Sequence, residues 1–180
     1  MSNKFPLAEL QTLLEQARQS DAEYKQFGAA THKYQLNPPA ALADVEAFEQ
    51  QLGCTLPEAY RSFLLQAGNG GAGPFYGLFS LEQMQGWLDW PVEPTETPYL
   101  QPDVKIDDLC YLQDNDYNWQ RGCLPIGSQG DTYFTYLLLA GPHRGRVVYV
   151  EYELSWVFFP REPDFLVWYT RWLREVAAGY

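Results

Sequence analysis

Histidine is nearly missing from this chain: only His32 and His143 occur in 180 residues. Nucleophilic catalysis of the Ser-His-Asp or Cys-His kind needs an imidazole beside its nucleophile to carry the proton. One histidine falls in a polar N-terminal stretch and the other in a Gly-Pro-His-Arg-Gly loop, and neither adjoins a nucleophile motif. Cysteine is scarce as well. Cys54, Cys110 and Cys123 form no CxxC pair, and their odd number excludes a complete set of intrachain disulfides. They have no zinc-ligand spacing, so buried free thiols in a reducing cytoplasm are the expectation. Long apolar runs are absent too. Nothing approaches the roughly 20 residues of a spanning helix, and the N-terminus lacks the basic-then-apolar order of a signal peptide. The chain reads as soluble and unexported, with no membrane role and no cofactor motif.

Positive charge is missing from one region. The formal net charge is −11, yet residues 1–36 and 121–180 are each balanced. Residues 37–120 hold thirteen acids against Arg61 and Lys105 and so carry the whole excess. A field of this sign repels nucleic acid and anionic membranes and accelerates encounter with a basic partner. It also serves plain solubility, and charge alone does not separate the two.

What the chain has in quantity is hydrophobic and aromatic residues, 46% and 16%. A chain of this length buries roughly 70% of its unfolded surface, enough for one sizeable core. In "PLAELQTLLEQARQ", Leu7, Leu10, Leu13, Leu14 and Ala17 share one helical face behind Pro6. Residues 20–36 are polar with scattered aromatics and read as a tether lying on the domain, so residues 1–36 are set apart from a single globular unit over 37–180. "NPPAALADVEAFEQQLG" predicts a helix capped at Asn37, striped by Val45, Phe48 and Leu52, and ended by Gly53. "LPEAYRSFLLQAGNG" predicts the second arm of a helical hairpin, with Tyr60, Phe63, Leu64 and Ala67 inward.

The glycines of "NGGAGPFYGLF" invite comparison with a phosphate-binding loop. A dinucleotide loop needs glycine where Tyr76 stands and runs from strand to helix, whereas this stretch leaves a helix and enters an apolar run. A structural corner is predicted, since glycine supplies positive φ and close backbone approach. Ser80 and Gln83 then form a candidate capping box for a short helix through Leu88. Four prolines make "PVEPTETPYLQP" a surface loop. "LPIGSQG", "DTYFTYLLLAG" and "RGRVVYVEYE" predict three strands, the last two a hairpin. Phe134, Tyr136 and Leu138 alternate with Tyr133, Leu137 and Leu139, which predicts a central strand covered on both faces. Finally Phe165, Trp168, Tyr169, Trp172, Leu173 and Val176 trace a helical stripe suited to packing on the sheet.

Three of these stretches together carry a family resemblance. "LGCTLPEAYRSFLLQAGNGGAGPFYGL", "GCLPIGSQGDTYFTYLLLAGPHRGRVVYVE" and the aromatic terminal helix resemble the SUKH superfamily, the Smi/Knr-type proteins, over about residues 37–175. The most specific parts are LP-x-x-Y-x-x-FL with its following glycines and the LPIG-x-x-G-D strand entry. The resemblance implies an α+β fold with helices packed on a mostly antiparallel sheet. It further implies a non-enzymatic protein: bacterial members largely serve as immunity proteins that bind and block toxins, while fungal members look like regulatory scaffolds linked to cell-wall synthesis.

Two chemical alternatives attach to the acidic middle. Paired carboxylates with nearby aromatics suit glycoside hydrolysis, although sequence spacing brings no two of them face to face. Asp114, Asp116 and Asn118 imitate the start of a calcium loop, but Trp119 replaces its glycine and Pro125 its twelfth-position ligand, so a regular EF-hand is excluded, no metal site is assigned, and weak calcium binding by a nonstandard loop is the minor alternative. The favoured expectation makes Asp107, Asp108, Asp114 and Asp116, with Tyr117 and Trp119, part of an acidic and aromatic surface for a protein partner. The alternative is a solvated loop whose rings tuck into the core.

Overall fold

Leucine spacing builds the first element and explains where it docks. The computed structural model describes residues 5–86, 93–105, 107–108, 119–154 and 156–180. Helix α1 (Leu7–Ser20) buries Leu10, Leu14 and Ala17, and it lies against the last helix, α6 (Phe165–Ala177). Both helices feed one hydrophobic cluster. Residues 20–36, expected as a tether, carry a single helical turn, α2 (Ala29–His32). Tyr34 is buried there, its hydroxyl donating to Asp21 Oδ2 at 2.7 Å. Its ring stacks near Trp172 of α6.

Asn37 does not cap the next helix. That helix, α3 (Leu42–Leu52), starts behind Ala41, which provides no side-chain cap. Prolines at 38 and 39 hold the preceding chain extended. In that extended stretch Ala40 donates its amide to Leu64 O and Asn37 donates its side-chain amide to Asn69 O. The stripe of Val45, Phe48 and Leu52 is buried as expected. Helix α4 (Glu58–Gln66) follows Pro57 and buries Tyr60, Phe63 and Leu64. Between the two arms, the buried Glu49 carboxylate accepts from the Leu56 amide at 2.8 Å and from Arg61 Nε at 3.0 Å.

After α4 the chain makes the predicted glycine corner. Gly77 has φ +93, and a Cβ there would lie 2.3 Å from Gly71 O. The corner forms isolated antiparallel bridges instead of a strand, joining Gly71 to Leu36 and Leu78, and Leu78 to Gly127. A side chain at Gly127 would meet Gly77 O at 2.6 Å, so the close approach needs glycine on both sides. Helix α5 (Leu81–Gln85) then opens with the full capping box of Ser80 and Gln83; Leu88, its expected end, lies outside the described residues.

The sheet is antiparallel in chain order: β1 (Cys123–Gly130), β2 (Tyr133–Leu138), β3 (Val147–Glu151) and β4 (Val157–Phe158). Three of the strands were expected; β4 is an addition. Strand β2 is covered on both faces. Leu137 and the following Leu139 enter the main cluster beneath the helices, while Tyr136 and Leu138 enter a second cluster with Leu100, Trp119, Val148, Val150 and Leu154. The result is an α+β architecture of helices packed on one side of an antiparallel sheet and loop residues on the other.

Candidate partner-binding surfaces

Asp107 and Asp108 stand exposed in a helical turn, where the Asp108 amide donates to Lys105 O. Asp114, Asp116 and Tyr117 lie outside the described residues. Trp119 is 5% exposed. Its ring packs at about right angles to those of Tyr136 and Tyr152, at centroid separations of 5.6 and 6.1 Å, so Trp119 joins the second cluster and, for this one ring, takes the inward alternative the sequence left open.

The acidic middle of the chain folds onto neighbouring elements. Helix α3 carries exposed Asp44 and Glu46, α5 carries exposed Glu82, and the loop after α5 carries exposed Glu93, Glu96 and Asp103 ahead of Asp107 and Asp108. These elements adjoin one another: α3 packs against α5, Gln85 Nε2 reaches Gln51 Oε1 at 3.4 Å, and Pro94 sits over Gly53 at the end of α3. Of the two basic residues in the region, Arg61 is already occupied by Glu49. Lys105, the other, is exposed beside Asp103, Asp107 and Asp108, and Val104 packs against the second cluster, so the exposed carboxylates of α3, α5, Glu93 and Glu96 face no described cation of this region other than the engaged Arg61.

A second surface has a different composition, and sequence reasoning did not find it. Phe27, Tyr76, Tyr133, Trp156 and Phe158 are all exposed, from 39% at Tyr133 to 65% at Phe27. Ring contacts join them through two partly covered rings. Tyr133 meets Trp156 at 6.1 Å, Trp156 stacks on Phe158 at 5.9 Å, and Phe158 stacks on Tyr149 at 6.1 Å. Tyr149 then meets Phe75 at 5.7 Å, Phe75 meets Phe27 at 6.5 Å, and Phe27 meets Tyr76 at 5.3 Å. The band opens into a cleft of about 310 Å³ lined in part by Phe27, Tyr34, Phe75, Tyr149 and Trp172. Seven residues from five separate stretches make this surface, which is why no local pattern announced it. The sheet register is the cause: β4 pairs Phe158 with Tyr149 and so turns Trp156 and Phe158 to the same face.

The polar groups at the cleft are already engaged. Arg171 lies between Glu162 and Glu175, with N···O separations of 2.7 and 2.6 Å. The Tyr149 hydroxyl accepts from Trp168 Nε1, and burial pushes its pKa up to about 12. His32 accepts the Tyr34 amide on Nδ1 at 3.0 Å, and burial pushes its pKa below the ordinary value against opposing hydrogen bonds to Phe75 and Gly73 backbone. Such an imidazole is a structural clamp between α2 and the glycine corner. Burial likewise raises the thiol pKa of Cys54 and of Cys123, which disfavours reactive thiolates. Cys110 lies outside the described residues. Among the described residues no three His, Cys, Asp or Glu side chains gather as metal ligands, and no helix is long and apolar enough to cross a membrane.

No curated protein matches the chain. A family model does, over residues 39–171, a span that runs from the residues just ahead of α3 to the middle of α6 and includes the glycine corner and all four strands. The chain belongs to the SMI1/KNR4 family (SUKH-1).

Proposed function

We propose that this protein is a non-catalytic cytoplasmic immunity protein that binds and blocks a basic toxin domain. Family membership makes an immunity role a natural one. The observation that carries the reading is the run of exposed carboxylates on the adjoining α3 and α5 and on the loop that follows, while Arg61 is neutralised from within. A surface of that sign steers and pairs with lysine and arginine, and a nuclease, whose substrate groove must be cationic to hold phosphates, is the toxin class it fits best. The acids of the protein occupy the sites phosphates would take. Asp107 and Asp108 are assigned to the interface, together with Asp114, Asp116 and Tyr117; Trp119, packed against Tyr136, is left out of it. Function of this kind requires binding alone.

Co-expression with the C-terminal domain of whichever protein the adjacent reading frame encodes tests the proposal. Rescue of growth, lost or weakened when Asp107 and Asp108 become Asn, is the expected result. Binding to a host regulatory protein with no rescue would instead identify a scaffold.

A further inference from the structure

We propose that the aromatic band is a second docking surface, whose occupant is an uncharged, extended segment of a protein partner that adds as a strand beside β4 and lays alternate apolar side chains across Trp156 and Phe158.

The two edges of the sheet differ. At β1 the corner residues close the edge: Phe79 donates its amide to Ile126 O at 2.8 Å and Tyr76 donates to Ser128 O at 3.2 Å. At β4 the register leaves backbone groups pointing outward. Glu151 donates its amide to Trp156 O, which makes Glu151 and Trp156 a hydrogen-bonded pair. Alternation then makes Val150 and Val157 a non-bonded pair and directs the Val157 amide and carbonyl away from β3. An added strand takes its main-chain bonds from such groups and its selectivity from pockets for every second side chain. Trp156 and Phe158 flank Val157 on one face, 40% and 48% exposed, with ring planes 11° apart.

Charge decides what kind of segment fits. At the cleft end of the band Arg171 is held by Glu162 and Glu175. Burying a lysine or an aspartate against the stacked rings of Trp156 and Phe158 would leave it uncompensated, whereas apolar side chains gain contact with those rings. The acidic side attracts cations; the rings of this side favour apolar contact. The inference rests on the chain's acting by binding protein, but not on that protein being a toxin, so the growth assay and the experiment below fail separately.

Selection of short random peptides on the immobilised full chain is the test. Enriched peptides should be poor in charged residues and alternate apolar with polar ones. Synthetic copies should slow exchange of the Val157 amide, and Trp156→Ser or Phe158→Ser should weaken their binding about tenfold or more, as loss of a central aromatic contact does. Both positions are surface rings, and thermal unfolding of the variants alongside separates lost binding from lost folding. Enrichment of basic peptides indifferent to these substitutions overturns the proposal, as does failure to enrich any peptide. Self-association of the wild-type chain that Phe158→Ser abolishes also overturns it, by making a second copy the occupant.

Discussion

The acidic side and the aromatic band are built from opposite materials and differ in how far they act. Carboxylates on α3, α5 and the 93–108 loop project a field that reaches roughly 8 Å at physiological salt. Rings from Phe27 to Trp156 act only on touching, through area removed from water. In the binding roles proposed for them, the first would set how quickly a partner arrives and the second how long it stays. The difference teaches that net charge, conspicuous in the sequence, describes one half of the molecule's surface chemistry.

The strongest way to break the comparison is to break the corner that carries Phe75 and Tyr76. Gly77→Val places a branched side chain at φ +93 with its Cβ 2.3 Å from Gly71 O. It should cost about 3 kcal/mol or more in chemical denaturation, from a clash with backbone added to an unfavourable φ. A change under about 1 kcal/mol would mean the corner is not the rigid support of the band.

Below the acidic side, Glu49→Ala should cost about 2 kcal/mol, because it strands the Leu56 amide and one face of Arg61. The change removes one negative charge, as replacement of one exposed acid does, so association with a basic partner should slow by about the same amount.

Asp107→Asn with Asp108→Asn should leave stability within about 0.5 kcal/mol, since both side chains are exposed. Association with a basic partner should slow severalfold at low salt, and its salt dependence should flatten. Unchanged kinetics would remove this turn from the interface and leave the aromatic band as the main docking surface.

The smallest effect concerns pH. The His32 pKa is depressed in the folded chain by burial, so the unfolded chain binds the extra proton first. Its stabilising contribution is present above the ordinary imidazole value near 6.5 and is lost as pH falls through the folded value. Protonation would place a hydrogen on Nδ1, which must stay bare to accept the Tyr34 amide. Phe79→Leu, away from this ring, should keep the acid-side slope of stability against pH; His32→Gln should flatten it.

Much of this fold is written in local pattern. The stripes of α1, α4 and α6, the capping box at Ser80 and Gln83, and the two-faced alternation of β2 each follow from spacing within a dozen residues, and each is found where spacing put it. Other features needed partners far along the chain. Asn37 looks like a cap until the hydrogen bonds of Pro38, Ala40 and α4 are known. Residues 20–36 look like a tether until Tyr34 is seen against Trp172, and β4, at two residues, has no period to detect.

The same division holds for the surfaces. Charge sums along a chain, so the sequence by itself determined that residues 37–120 carry the whole acidic excess. Adjacency does not sum along a chain. Only the tertiary structure decided that Phe27, Tyr76, Tyr133, Trp156 and Phe158 share one face, because sheet register and the glycine corner bring together rings that lie up to 131 residues apart in sequence. It also decided that Trp119 faces inward, since the second cluster offers that ring more apolar contact than solvent does.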